Sequence, residues 1–231
     1  MENIFKIDEN TWRIEDEFVR FFLLKGKEKA VLIDSGASTH NAREIAEGLT
    51  KLPIFLLNTH GDGDHVCGSG AFDEIYMTKE DFISCGIADR FPNTKLKEIK
   101  DGDVFDLGDR KLEIITIPGH TKGSVAILDV ENRQLFAGDS VQNGFIFMFD
   151  NRREPEKFEA ALKKLIAISD RYDRIIASHG EPVLDGKYTK KVLEAWKKVL
   201  SGSLEYKITN LFGTDVKTYD AGVCGFYCDL K

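Results

Sequence analysis

The chain has 231 residues, of which 42% are hydrophobic and 31% charged, and its formal net charge is −7 at pH 7. These proportions are ordinary for a globular protein, and no apolar run in the sequence is long enough to span a bilayer. The acidic balance and the lack of a basic cluster argue against nucleic-acid binding, because like charge repels a phosphate backbone. The first residues lack the basic start and apolar stretch of a secretion signal. We therefore expect a cytoplasmic protein whose four cysteines are reduced.

The first half of the chain predicts short apolar strands that end in polar turns. The first of the two helices in this half has Ser38 or Thr39 as its expected N-cap, because hydroxyl side chains accept hydrogen bonds from free amides at a helix start. In chain order, we predict strands over 18–24, 30–33, 54–57 and 75–77, and helices over 39–49 and 79–85.

The second half of the chain predicts more strands and two strongly amphipathic helices. The first of these helices places Phe158, Leu162 and Leu165 at helical spacing. We predict strands over 104–107, 112–117, 124–130, 134–137 and 174–177, helices over 155–169 and 188–200, and a β-rich tail over 204–227. Strands and helices alternate throughout, without a repeat or a linker, so we expect one α/β domain over 1–231.

Four of the five histidines lie in polar segments at the ends of predicted strands: His60, His65, His120 and His179. The densest segment, 59–65, reads THGDGDH, and its glycines allow a tight loop to turn several side chains toward one point. Imidazole and carboxylate ligands suit zinc, iron or manganese. A calcium loop is the alternative for a turn rich in glycine and aspartate, but calcium prefers oxygen ligands to histidine.

This segment resembles the H-x-H-x-D-H motif of the metallo-β-lactamase superfamily, and four further motifs follow that family's pattern. Leu32 to Gly36 resembles its first motif, whose aspartate is Asp34 here. The other three are Pro118-Gly119-His120-Thr121, Gly138-Asp139-Ser140 and Ser178-His179-Gly180.

The resemblance implies an αββα sandwich with a two-metal site at one edge, between the sheets. One divalent ion would take His60, Asp62 and His120; the other would take Asp64, His65 and His179; and Asp139 would bridge them. The implied activity is that of a metal-dependent hydrolase in which a bridging water attacks an ester, thioester, lactone or phosphoester. Asp64 would also orient that water. We expect a small-molecule substrate, with no nucleic-acid or membrane partner, and leave a homo-oligomer open.

Asp62 departs from the family pattern, which usually has a second histidine at this position. The carboxylate adds a negative charge and a hard oxygen, which favours iron or manganese and stabilises a higher oxidation state. The flavodiiron proteins resemble the chain at this point, because they also have a carboxylate there. The alternative function is therefore a di-iron redox protein that acts on dioxygen or a related small molecule with a separate electron donor. A second alternative is that Asp62 still binds zinc, or points away and accepts a hydrogen bond.

Smaller features leave further alternatives. The segment Gly144 to Arg153, which reads GFIFMFDNRR, predicts either a wall of an apolar pocket or a buried strand or dimer contact. Arg152 and Arg153 could bind an anion beside the site, but adjacent arginines before a helix are more often solvated, which is what we expect here. Cys67 is either a thiol of depressed pKa or, as we expect, a packing group. We expect His40 at the surface, and Cys224 and Cys228 in the core rather than in a disulfide.

Overall fold

The computed structural model describes residues 3–230, and short strands dominate it. Each strand is three to seven residues long, as expected for apolar runs closed by glycine, aspartate and asparagine turns. The strands are, in chain order, Asn3–Asp8 (β1), Thr11–Asp16 (β2), Val19–Lys25 (β3), Ala30–Ile33 (β4), Ile54–Leu57 (β5), Glu74–Met77 (β6), Lys95–Glu98 (β7), Val104–Asp106 (β8), Lys111–Thr116 (β9), Val125–Asp129 (β10), Gln134–Phe136 (β11), Phe145–Met148 (β12), Arg174–Ile176 (β13), Val183–Asp185 (β14), Tyr206–Leu211 (β15), Thr214–Asp220 (β16) and Gly225–Cys228 (β17).

Six α-helices connect these strands. The two longest have thirteen residues each and are the two amphipathic helices that the sequence predicts. The helices are Ala42–Leu49 (α1), Gly63–Val66 (α2), Lys79–Ser84 (α3), Ile87–Arg90 (α4), Pro155–Ala167 (α5) and Tyr188–Leu200 (α6), with 3-10 turns at Cys67–Ala71 and Gly138–Ser140. Among residues 3–230, none of the helices combines the length and the apolar character that crossing a bilayer requires.

The strands form three sheets. The first sheet has the order β1-β2-β3-β4-β5-β6-β7, antiparallel from β1 to β4 and parallel from β4 to β7. The second has the order β14-β13-β11-β10-β9-β8, and only its β11–β13 pair is parallel. A smaller third sheet has the order β12-β17-β16-β15, so the predicted β-rich tail pairs with β12 from the middle of the chain.

The two faces of β3, both of them buried, show how the layers stack. In β3, Phe22 and Leu24 pack against Leu112 and Ile127 of the second sheet, whereas Phe21 points to the opposite face, where α1 lies. Successive side chains of a strand point to opposite faces, so the first sheet has one face toward the second sheet and one toward α1. The outer face of the second sheet packs against α5 and α6. The predicted αββα sandwich is therefore confirmed.

Most of the predicted elements agree with the structure to within a few residues, although one helix begins later than expected and four strands were missed. Helix α1 begins at Ala42, three residues after the expected start. The amides of Ser38 and Thr39 donate to the Asp16 carboxylate at 2.9 and 3.0 Å, so this loop is held by a partner distant in sequence rather than by a helix cap. Strands β1, β2, β7 and β14 were not predicted. Three of them, β1, β7 and β14, are edge strands, which are partly exposed and carry a weak apolar signal.

Candidate metal centre

The structure brings all seven predicted metal ligands to one edge of the sandwich. The four ligands of 60–65 lie in the loop after β5 and in the short helix α2. The other three follow β9, β11 and β13, three strands of the second sheet. His60 and His179 follow strands of different sheets, so these residues, 119 positions apart, come together because the two sheets pack face to face with these strand ends at the same edge. These seven are His60, Asp62, Asp64, His65, His120, Asp139 and His179.

The ligand atoms form two groups. The first, which we call the His60 group, contains His60, Asp62 and His120. Nε2 of His120 lies 3.3 Å from Nε2 of His60, and also 3.3 Å from Oδ2 of Asp62. Oδ2 of Asp139 lies 3.7 Å from the same His120 nitrogen. The two 3.3 Å separations fit one ion, because a tetrahedral ion with bonds of about 2.0–2.1 Å sets its donors roughly 3.3–3.5 Å apart. Oδ2 of Asp62 lies farther from Nε2 of His60, at 3.8 Å.

The second group, the His65 group, contains Asp64, His65 and His179. Nε2 of His179 lies 3.3 Å from Oδ2 of Asp64 and 3.3 Å from Oδ1 of Asp139. Nε2 of His65 lies 3.1 Å from the same Asp139 oxygen. These distances also fit a single ion. The two oxygens of Asp139 thus face different groups, which is the arrangement that a bridging carboxylate needs.

Hydrogen bonds to the Nδ1 atoms orient the four imidazoles. Nδ1 of His65 donates to Asp34 Oδ2 at 2.8 Å, and Nδ1 of His60 lies 3.0 Å from Thr59 Oγ1, whose own proton goes to Asp34. Nδ1 of His120 donates to the carbonyl of Phe147, and Nδ1 of His179 donates to that of Phe18, each at 2.9 Å. With the Nδ1 atoms turned to these partners, each Nε2 faces the centre, where it could bind a metal ion, as metal-binding histidines do.

Two buried atoms of the His65 group have no donor among residues 3–230. Nε2 of His65 and Oδ1 of Asp139 face each other without forming a hydrogen bond. Unpaired buried polar atoms are rare in folded proteins, and a cation between these two atoms would satisfy both of them. The residues of this group therefore fit a metal ion.

The charges of the His65 group favour a cation as well. Burial opposes ionisation of Asp139, but the His179 and His65 rings outweigh it and hold the pKa of Asp139 well below its usual range. Burial lowers the pKa of His179, whereas Asp139 and Asp64 raise it more strongly, to about 10. In contrast, burial and the neighbouring rings of His65 and His120 hold the pKa of His60 well below its usual value. A metal ion would supply the positive charge that the carboxylates attract.

Asp62 is paired with two arginines that the sequence did not connect to it. Arg153 Nη2 donates to Asp62 Oδ2 at 2.7 Å, and Arg152 Nη1 donates to Asp62 Oδ1 at 3.0 Å. The expectation that both arginines are solvated is wrong for Arg153, whose side chain is 3% exposed. Its ion pair with Asp62 and its hydrogen bond to the carbonyl of His120 offset part of the cost of burying this charge. The arginines also offset the extra negative charge that Asp62 brings to the site.

Asp81, a buried residue that was not predicted to belong to the site, holds two loops of the site together. Asp81 accepts from the amides of Gly61 and Gly123 at 2.9 and 2.7 Å, and from the hydroxyl of Thr121 at 2.7 Å. It thereby joins the loop of His60 to the loop of His120. Burial raises the pKa of Asp81 despite these hydrogen bonds. An aspartate within a short helix gives no sequence signal for this role.

A cavity of about 790 Å³ opens beside the two ligand groups. Strand β12 supplies one wall, because Phe145 and Phe147 line the cavity while Ile146 and Met148 are buried in the core. The segment 144–153 therefore combines the pocket wall and the buried strand that were predicted as alternatives. The apolar residues that line the cavity are Phe18, Phe145, Phe147, Phe149, Leu211, Phe212 and Tyr227.

The cysteines and His40 stay outside the ligand groups. All four cysteines are free. Burial raises the pKa of the Cys67 thiol, so the depressed pKa considered as an alternative is not found, and its Sγ lies 3.7 Å from Nδ1 of the exposed His40. Cys224 and Cys228 pack in or against the core that contains α5 and α6, as expected.

This fold and site define an αββα protein with candidate metal ligands at the strand ends. The family model of the metallo-beta-lactamase superfamily matches residues 15–179, and the chain belongs to that superfamily. An acyl-coenzyme A thioesterase, MBLAC2 from Homo sapiens, is 23% identical over 219 residues, covering 77% of this chain and 78% of the relative. A hydroxyacylglutathione hydrolase from Francisella tularensis is 32% identical over 125 residues, which are 53% of this chain and 47% of the relative.

Solved structures give the same fold. A metallo-beta-lactamase from Pontibacter korlensis has a TM-score of 0.71 at 19% identity, covering 85% of this chain and 99% of its own. A metallo-beta-lactamase family protein from Thermus thermophilus has a TM-score of 0.69 at 17% identity, covering 87% of this chain and 85% of its own. The predicted family is thus confirmed, and so is the prediction of an enzyme of this superfamily, since the sequence relatives are named as hydrolases.

Proposed function

We propose that the chain is a metal-dependent hydrolase whose substrate is a thioester of an apolar acyl group. The observation that carries this proposal is the aromatic cavity, which reaches Asp64, Asp139 and His179 directly. Its apolar wall suits a hydrocarbon chain, and burial of each methylene contributes about 0.8 kcal/mol to binding. The relatives named as an acyl-coenzyme A thioesterase and a hydroxyacylglutathione hydrolase support thioester chemistry.

The proposed ligands are the seven predicted residues, arranged as two groups that share Asp139. Asp64, His65 and His179 would hold one divalent ion, and His60, Asp62 and His120 would offer ligands to another. Zinc, iron and manganese all suit these imidazole and carboxylate donors. When bound, such an ion polarises the substrate carbonyl and lowers the pKa of a water molecule.

The residues of the chain would position the reactants. Asp64 lines the cavity, and the His65 ring and the His179 hydrogen bond outweigh burial and lower the pKa of Asp64. It therefore stays ionised and can orient a water molecule toward the carbonyl carbon. Phe147 and Phe149 would hold the acyl chain and exclude water from it, while the thiol group would leave toward solvent. The di-iron redox alternative has no support from the relatives found.

The test is a comparison of substrates with matched acyl groups. Chelated protein, reloaded with zinc or manganese, is assayed by thiol release with acetyl, hexanoyl and decanoyl thioesters, and in parallel with bis(p-nitrophenyl) phosphate. We expect metal-dependent hydrolysis, with kcat/KM rising with chain length and little phosphodiesterase activity. Faster phosphodiester than thioester hydrolysis, or thioester hydrolysis that chelation does not reduce, would overturn the proposal.

Cavity variants test whether the aromatic wall sets this preference. Replacing both Phe147 and Phe149 by alanine should lower kcat/KM for the decanoyl thioester at least tenfold more than for the acetyl thioester. Phe5 of β1 is 43% exposed and outside the cavity, so Phe5→Ala is the matched control and should leave the ratio unchanged. Equal loss on both substrates in the double variant would contradict an acyl-binding role.

A further inference from the structure

One guanidinium group covers the metal-facing atoms of two proposed ligands in the His60 group. Arg153 donates from Nη2 to Asp62 Oδ2 at 2.7 Å, and its Nη1 lies 3.3 Å from Nε2 of His120 and 3.1 Å from the carbonyl of His120. Nδ1 of His120 donates a hydrogen bond to the carbonyl of Phe147, so the proton is on Nδ1 and Nε2 carries the lone pair. The atoms that would bind an ion therefore already have a cationic partner.

The His65 group is different. Nε2 of His65 and Oδ1 of Asp139 are buried and have no hydrogen-bond donor among residues 3–230. The ion pairs recorded within that range for Asp64 and Asp139 are all with histidines, whereas Asp62 pairs with both Arg152 and Arg153. The two groups thus have similar ligand geometry, but within residues 3–230 the ion pairs place a guanidinium at the ligand atoms of the His60 group and not at those of the His65 group.

We propose that Arg153 is a built-in cation of the His60 group, so that the two metal positions differ in affinity. A metal ion binds tightly in the His65 group, and an ion binds in the His60 group only when the Arg153 guanidinium withdraws from Asp62 and His120. This inference rests on the metal ligands of the proposed function, and it does not depend on the substrate class.

The physical basis is competition for the same lone pairs together with charge repulsion. A guanidinium keeps its charge at all ordinary pH values, so it cannot relieve the repulsion by losing a proton. Two cations separated by a few ångströms in a buried site repel strongly, because the surrounding protein screens them much less than water does. The pair of Asp62 and Arg153 has no net charge, like the histidine that the family usually has at this position. Unlike that histidine, the pair places the charged guanidinium beside the atoms that would bind the ion.

A role for Arg153 in orienting Asp62 predicts the opposite result. Residues that hydrogen-bond to metal ligands and fix their geometry typically increase metal affinity about 10- to 100-fold. If Arg153 acted in this way, its removal would weaken binding in the His60 group. If Arg153 competes with the ion, its removal should strengthen binding there. The sign of the change therefore decides between the two roles.

The experiment measures metal binding by the intact chain without substrate. Chelated protein is titrated with zinc against a chromophoric chelator, and bound zinc is counted by mass spectrometry after equilibrium dialysis. The variants are Arg153→Gln and Arg153→Lys, with Arg152→Gln as the matched control. Arg152 also contacts Asp62 but has no recorded contact with His120, and its side chain is 34% exposed. His60→Ala and His179→Ala show which zinc ion is bound by the His60 group and which by the His65 group.

For the wild type we expect one tightly bound zinc ion per chain and a second zinc ion whose affinity is at least 100-fold lower. His179→Ala should remove the tight one, and His60→Ala should leave it. Arg153→Gln should tighten the weak equivalent at least tenfold, with a smaller gain in Arg153→Lys and less than threefold in Arg152→Gln. Circular dichroism verifies that each variant folds. If Arg153→Gln does not fold, zinc binding is compared in Arg153→Lys instead.

Several results would overturn the inference. These are two equally tight equivalents in the wild type, weaker binding of the second equivalent in Arg153→Gln, an equal gain in Arg152→Gln, or no metal binding at all. Failure of thioester hydrolysis in the separate assay would overturn the proposed substrate and leave these binding results unaffected, so the two failures are distinguishable.

Discussion

Asp34 accepts a hydrogen bond from Nδ1 of His65 at 2.8 Å, and this bond directs Nε2 of the ring to the centre of the His65 group. The same carboxylate accepts from the amide and the hydroxyl of Thr59, each at 2.7 Å. Asp34 has a positive φ of 61°, a conformation that costs free energy in a residue other than glycine. The turn is maintained by the three hydrogen bonds that the carboxylate accepts.

Asp34→Asn should weaken metal binding in the His65 group by about 10- to 100-fold. The amide has only one acceptor oxygen, so it cannot accept all three hydrogen bonds and would disturb the tautomer of His65. Zinc affinity measured by chelator competition tests this expectation. Asp73→Asn is the control, because Asp73 is exposed and outside the site. Wild-type affinity in Asp34→Asn would refute the role.

Asp139→Ala should lower binding of both metal equivalents, since its two oxygens face different ligand groups. His179→Ala should lower binding only in the His65 group. Metal content after dialysis against a series of zinc concentrations separates the two cases. Two equivalents bound with wild-type affinities by Asp139→Ala would rule out a bridging role.

Arg110→Met should destabilise the fold by about 3–5 kcal/mol, because it leaves the buried Asp129 carboxylate without its ionic partner. Arg110 donates to Asp129 at 3.0 Å through Nε, and it also donates to the carbonyl of Asn10 and the hydroxyl of Thr11. These contacts join the second sheet to the first. Urea unfolding gives the free energy of unfolding directly.

The control for this prediction is an exposed ion pair of the same chemistry. Arg133 pairs with Asp173, and their side chains are 44% and 70% exposed, so Arg133→Met should cost far less stability than Arg110→Met. A double variant, Arg110→Met with Asp129→Leu, should recover much of the loss, since no buried charge is then left unpaired. Equal losses in Arg110→Met and Arg133→Met would contradict the prediction.

Asp16→Asn should lower stability in a pH-dependent way. The Asp16 carboxylate accepts from the amides of Ala37, Ser38 and Thr39 at 2.7 to 3.0 Å. Burial opposes its ionisation, but the hydrogen bonds from Ser38 and Thr39 outweigh this and lower the pKa of Asp16 below its usual value of 3.8. A lowered folded-state pKa stabilises the fold above the unfolded-state pKa, and this contribution is lost as pH falls through the folded-state pKa.

We therefore expect Asp16→Asn to be less stable than the wild type by about 1–3 kcal/mol at pH 7, with the difference shrinking below about pH 4. Urea unfolding at pH 7, 5 and 3 measures it. A difference that stays constant across this range would show that the charge of Asp16 contributes nothing.

The seven candidate ligands could be predicted from the sequence because they lie in short motifs at the ends of apolar runs. In such a motif the ligand spacing and the glycines that permit the turn are local properties of the chain, as in 60–65. The individual elements could be predicted for a similar reason, because the apolar run of β3 and the helical spacing in α5 and α6 are also local. The αββα arrangement itself was implied by the resemblance to the family.

Only the tertiary structure decided what surrounds the ligands. Arg153 lies 91 positions after Asp62, and nothing near either residue in the sequence indicates that they form a buried ion pair. The aromatic cavity likewise combines Phe18, which lies beside His179, with strand β12 and the β-rich tail, which meet because β12 pairs with β17. Contacts between distant segments depend on how the sheets pack. The identity of the candidate ligands can therefore be read from the sequence, whereas the charge and the substrate environment of the site are set by packing.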